Sequence, residues 1–67
     1  MPVVKVIELS AQSEQGYEDA VCQAVERAAR TIRNIRSVWG KEFEAVVEND
    51  RVTQFRVAVK ISFLLDK

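Results

Sequence analysis

Residues 17–35 read YEDAVCQAVERAARTIRNI, and their spacing decides the fold. Apolar side chains fall at Tyr17, Ala20, Val21, Ala24, Val25, Ala28, Ile32 and Ile35. This is the i, i+3, i+4, i+7 repeat of a helix with one apolar stripe. Glu18, Asp19, Gln23, Glu26, Arg30, Arg33 and Asn34 fall mostly on the other side. A helix over all of 17–35 is about 28 Å long at ~1.5 Å per residue. Such a stripe needs a partner surface, and the flanking segments that could supply it look like strands.

The helix start is marked by Gly16 as N-cap, in preference to Ser13, since Glu18 and Asp19 then lie in the first turn against the positive end of the dipole. Arg30, Arg33 and Arg36 suit the negative end. Before the helix, residues 3–9 (VVKVIEL) are short and rich in β-branched residues, as a strand requires, and residues 10–16 read as a polar connection. After it the period changes to alternation. Residues 37–48 and 51–65 read as two long strands joined at Asn49-Asp50, a pair that tolerates positive φ in a tight hairpin. In the last strand Phe55, Val57, Val59, Ile61 and Phe63 share one face, and Gln54, Arg56, Ala58, Lys60 and Ser62 the other. Gly40 points to a bulge or a close backbone approach.

These readings predict an α+β fold of order β-α-β-β: a three-stranded antiparallel sheet partly wrapped around one long helix. The first strand is expected to pair with the last. The second sheet face then carries Trp39, Arg56 and Lys60.

Residues 1–67 are expected to form a single domain. A chain this small is marginal without a staple. Cys22 is the sole cysteine and there is no histidine, so neither a disulfide nor a thiolate–imidazole zinc site can serve. With 48% hydrophobic residues, self-assembly is the expected remedy. Ten basic and ten acidic residues cancel, giving no field to recruit nucleic acid or an anionic membrane surface. No apolar run is long enough to cross a bilayer and no signal peptide opens the chain, so a cytoplasmic location is expected. No constellation for catalysis is present; Cys22 reads as a small residue at the edge of the core. The expectation is a protein that is not an enzyme.

Taken together, VKVIEL, then S-x-x-x-YEDAV at the helix start, A-x-x-R-TIRNIR at its end, E-N-D-R-V at the turn and VAVKISF in the last strand resemble the dodecin family over nearly the whole chain. The resemblance implies a sheet partly wrapped around a helix, assembly into a hollow homo-dodecamer, and small-ligand storage, with flavin bound in pairs between subunits in many members. In flavin-binding members a tryptophan opening the second strand stacks on the isoalloxazine ring, and a glutamine in the last strand bonds its edge. Counted without gaps, those positions are Ser37 and Arg56, so neither signature residue is present. Trp39 lies two residues beyond Ser37, on the same strand face but about 7 Å along it. Ser37, Trp39 and Arg56 are the candidate ligand-binding residues. Arg56 offers donors and a fixed charge but no acceptor, which favours an anion or a carboxylate such as Glu42 or Glu44 across an interface. Flavin is the cofactor implied by resemblance. Calcium is the weaker alternative, through the oxygen ligands of Glu48, Asn49 and Asp50 or of Glu42 and Glu44, since some dodecin-like proteins lacking the flavin residues are associated with it.

Overall fold

Asn49 and Asp50 both adopt left-handed backbone angles, φ 54° and 63°, and fold residues 35–64 into a long hairpin. In the computed structural model, which describes residues 3–65, the order is β1 (Val4–Ser13), α1 (Tyr17–Ala28), β2 (Ile35–Glu48) and β3 (Arg51–Leu64). The sheet is antiparallel in the order β1-β3-β2, so the first strand pairs with the last, as expected. β2 is irregular between Ile35 and Ser37 and between Gly40 and Glu42, and the hairpin is irregular again at Val46/Val47. The predicted bulge at Gly40 is there. A side chain at residue 40 would meet the Phe43 ring at 2.7 Å.

The helix lies on the odd-numbered face of β3. Val57, Val59 and Ile61 are buried there against Ala20, Ala24 and Ala28. Alanine at every fourth position brings the helix backbone close to the sheet, while Ile7, Leu9, Val21, Ile32, Ile35 and Val38 close the margins. At the N-terminus Gly16 is the cap, with φ 152°, and no side chain caps it directly. The buried Ser13 hydroxyl instead donates to Asp19 Oδ2 at 2.5 Å and accepts the Gln15 N–H, and Gln23 Nε2 donates to the same Asp19 oxygen at 2.6 Å. These bonds, the Ser13 one foremost, hold the Asp19 carboxyl below its ordinary range.

Four expectations are corrected. The helix ends at Ala28, not Ile35, and spans about 18 Å. Ile32 and Ile35 still pack on the core, but from a turn and from the first position of β2, with Asn34 at φ 65° between them. The apolar spacing therefore outlasts the helix, and the β-branched Thr31 and Ile32 give little propensity to extend it. Arg27, not Arg30 or Arg36, occupies the last turn, and Arg33 Nη1 donates to the Ala29 carbonyl at 2.8 Å. β1 continues through Ser10–Ser13, which pair with Ala58–Phe55; ladder hydrogen bonds override the weak strand propensity of that polar stretch. Cys22 is exposed, because it is about 200° around the helix from Ala20.

The hairpin runs well past the helix. The chain measures 51 × 19 × 13 Å, and apolar side chains are exposed towards both ends: Val3, Val4, Val6 and Leu65 at one, Phe43, Val47 and Val52 nearer the turn.

Candidate ligand-binding face

The even-numbered side chains of β3 point away from the helix, and antiparallel register aligns them with partners on both neighbouring strands. Four rungs result. Ser62 lies between Val6 and Ser37, Lys60 between Glu8 and Trp39, Ala58 between Ser10 and Glu42, and Arg56 between Gln12 and Glu44. All three candidate residues, Ser37, Trp39 and Arg56, thus occupy the face predicted for them.

The face does not bring them together in one chain. Ser37 Oγ and Ser62 Oγ share a 2.6 Å hydrogen bond, which satisfies one hydroxyl with the other. Trp39, one rung on, keeps 45% of its surface exposed. Arg56 is four residues further along β3 than Lys60, roughly 13 Å away. Its Nε donates to Gln12 Oε1 at 3.0 Å, and its Nη1 meets Glu44 Oε1 at 3.3 Å. The acidic partner expected from across an interface is supplied by the same chain. A shallow open hollow of about 420 Å³ adjoins Arg56, lined by Ser10, Glu42, Phe43, Glu44 and Ala58; Trp39 is not part of it.

Glu8, Gln12 and Ser62 were not singled out by the sequence, although all three touch the candidate residues or their partners. The signal that could have found them is the alternation of β1, once its pairing with β3 is accepted. Lys60 and Lys41 form a second cluster: their ammonium groups lie 3.7 and 3.3 Å from the same oxygen, Glu8 Oε2. Glu42 and Glu44 share the open face as expected. Among the described residues no three histidine, cysteine, aspartate or glutamate side chains gather as a metal would need. Among the described residues no helix is long and apolar enough to cross a membrane.

A family model described as Dodecin matches residues 3–66. The chain belongs to the dodecin family. A curated dodecin of Thermus thermophilus is 31% identical over 65 residues, covering 97% of this chain and 94% of that one. Crystal structures of dodecin from the same organism superpose with a TM-score of 0.94 at 30% identity over the full length of this chain and of an arginine-to-alanine mutant. Streptomyces coelicolor dodecin gives 0.94 at 27% identity, covering 98% of this chain and 94% of that one. A Mycobacterium tuberculosis calcium dodecin, described as calcium chelating with a novel calcium-binding site, gives 0.84 at 28% identity, covering 96% and 91%. The β-α-β-β order read from the sequence is thus the dodecin fold.

Proposed function

We propose that this dodecin is a self-assembling, non-enzymatic shell, a homo-dodecamer built from single-domain 67-residue chains, that holds small molecules against its open sheet face. The observation that carries this reading is that face itself. It presents an indole 45% exposed on β2, in a chain whose apolar residues are left uncovered towards both ends. Large exposed apolar groups distributed in this way favour contacts between copies. Trp39 is the aromatic platform, with Ser37 and Arg56 flanking it along the face.

The chemistry of the two signature positions argues against flavin held in the manner of the flavin-binding members. Ser37 offers no ring to stack upon and is bonded to Ser62, while Arg56 is engaged by Gln12 and Glu44. This favours a second reading, a flavin-free shell that holds ions, calcium among them, at sites completed between subunits.

Light scattering after size exclusion tests the assembly; a monomer at micromolar concentration would overturn both readings. Quenching of riboflavin fluorescence by the purified protein would support flavin storage. No quenching, with calcium binding detected by calorimetry, would favour the ion-holding shell. In the double variant Ser37→Trp, Arg56→Gln, riboflavin quenching should appear. If the assembly is intact and quenching is still absent, the pocket is not on this part of the face.

A further inference from the structure

We propose that the arginine-rich end of the chain, formed by the last turn of α1 and the turn after it, is the docking surface for the acidic hairpin tip of a second copy. Copies then meet head to tail. The inference rests on the self-assembly reading above and names the two surfaces that meet.

The formal charge of zero conceals a division along the molecule. Arg27, Arg30, Arg33 and Arg36 recur at every third position, all exposed, and no acidic residue occurs between Arg27 and Lys41. The fold gathers them at one end. Arg27 is in the last turn of α1, Arg33 bonds the Ala29 carbonyl in the turn that follows, and Arg36 is the residue left out of register between Ile35 and Ser37. The Leu64 N–H donates to the Asn34 carbonyl at 3.0 Å, which ties that turn to the far end of β3. Among the described residues none of the four arginines forms an ion pair. Glu26 on the helix is matched in charge by Lys5, the register partner of Phe63 at the same end, and Asp66 by Lys67.

The opposite surplus lies at the hairpin tip. Glu14, Glu48 and Asp50 are exposed there and form no ion pair among the described residues, with Arg51 the cation beside them. Glu14 belongs to this end because its Oε2 lies 3.5 Å from Gln54 Nε2. Between the two ends the charges balance locally, Lys41 and Lys60 against Glu8 and Glu42, and Arg56 against Glu44. Counted along β3 from Arg51 to Phe63, the ends are about 40 Å apart at ~3.3 Å per residue, in a molecule 51 Å long. Several screening lengths separate them, so neither end neutralises the other within one chain, and a second copy offers each the surface it lacks.

The helix dipole explains part of this pattern, since it favours Glu18 and Asp19 in the first turn and Arg27 in the last. It does not explain the tip. Tyr17 at the helix start packs on Phe55, and Arg51 is about 13 Å further along β3 at ~3.3 Å per residue. Val47 at the tip, and Val3 and Leu65 at the arginine end, are each about half exposed and give the contact apolar area inside its charged rim. Such a contact joins two different patches, so identical copies repeat it around a ring.

Charge reversal tests the contact. One variant inverts the tip (Glu14→Lys, Glu48→Lys, Asp50→Asn) and another the arginine end (Arg27→Glu, Arg30→Glu, Arg36→Glu). Asparagine tolerates the left-handed backbone at residue 50, and Arg33 keeps its bond to the Ala29 carbonyl. Light scattering over a dilution series gives the protomer concentration at half-dissociation. Either reversal alone should raise it roughly tenfold or more in dilute buffer, and ~1 M salt, with a screening length of about 3 Å, should narrow the difference. A chain carrying both reversals has complementary ends again and should recover most of the loss. A single reversal without effect, or a doubly reversed chain no tighter than either single one, would overturn the head-to-tail contact and leave the assembly itself standing. A natural protein that is monomeric at micromolar concentration would instead remove the reading on which the inference rests. A heparin column gives a second measurement on the natural protein. With its arginines covered by a neighbour's tip, the assembly should pass unretained at moderate salt; retention would show that end open to a polyanion and would overturn the contact.

Discussion

Replacing Ile61 by alanine tests the account of the core most directly. Ile61 is fully buried and sits where every element meets: Ile7 of β1 and Val38 of β2 are its register partners, and the alanine stripe of α1 covers it. The substitution removes three carbons, about 2.4 kcal/mol at ~0.8 kcal/mol each, and the cavity left behind brings the expected loss to roughly 2–5 kcal/mol. A chain of 67 residues commonly has a total stability of about 3–10 kcal/mol. The change therefore takes a large share of it, and lowers Tm by about 8–16 °C even at the low end of the range. The assay is urea unfolding followed by circular dichroism, at one fixed protomer concentration, because assembly makes apparent stability depend on concentration. Val52→Ala is the matched control: Val52 is 51% exposed in the single chain, so loss of its contacts within the chain should stay below about 1 kcal/mol. A loss below about 1 kcal/mol for Ile61→Ala would refute the reasoning, since it would mean that the helix–sheet contact does not carry the fold. A loss for Val52→Ala as large as that for Ile61→Ala, shrinking on dilution, would place Val52 in a contact between copies.

Two further outcomes follow from local geometry. At the hairpin, Asp50 has φ 63°, so Asp50→Val should destabilise by about 1–2 kcal/mol in the same assay while Asp50→Gly is neutral or stabilising; a tolerated valine would mean that the turn does not use a left-handed pair. At the helix start, Asp19 is held below its ordinary value of 3.8 by Ser13 and Gln23, so its contribution is present above that value and is lost as pH falls through the lower folded value. The stability gap between the natural protein and Asp19→Asn should therefore be constant near neutrality and close in acid below pH 3.8; a gap that widens there would contradict the bonding described.

The open face shows how much of the candidate site could be read from the chain. The alternation of β3 was enough to place Arg56 and Lys60 opposite the helix, and a two-residue offset was enough to keep Trp39 on the face of Ser37. What Arg56 and Ser37 do there was not legible. Their partners Gln12 and Ser62 are 44 and 25 residues distant in sequence, and only strand register brings them within hydrogen-bond reach. The same holds for Glu8, whose role between two lysines depends on the register of β1 against β3.

The sequence by itself determined the kind and order of the elements, the tight turn at Asn49-Asp50 and the face that each β3 side chain uses, because these follow from local backbone sterics and from the periods of helix and strand. Tertiary structure decided where the helix stops. Apolar spacing is satisfied equally by a helical turn and by Ile32 and Ile35 packing from a turn and a strand, and only contact with β3 chooses between them. It also decided which charges and hydroxyls of the open face are already paired, since hydrogen bonds across a sheet join residues that local chain geometry cannot relate.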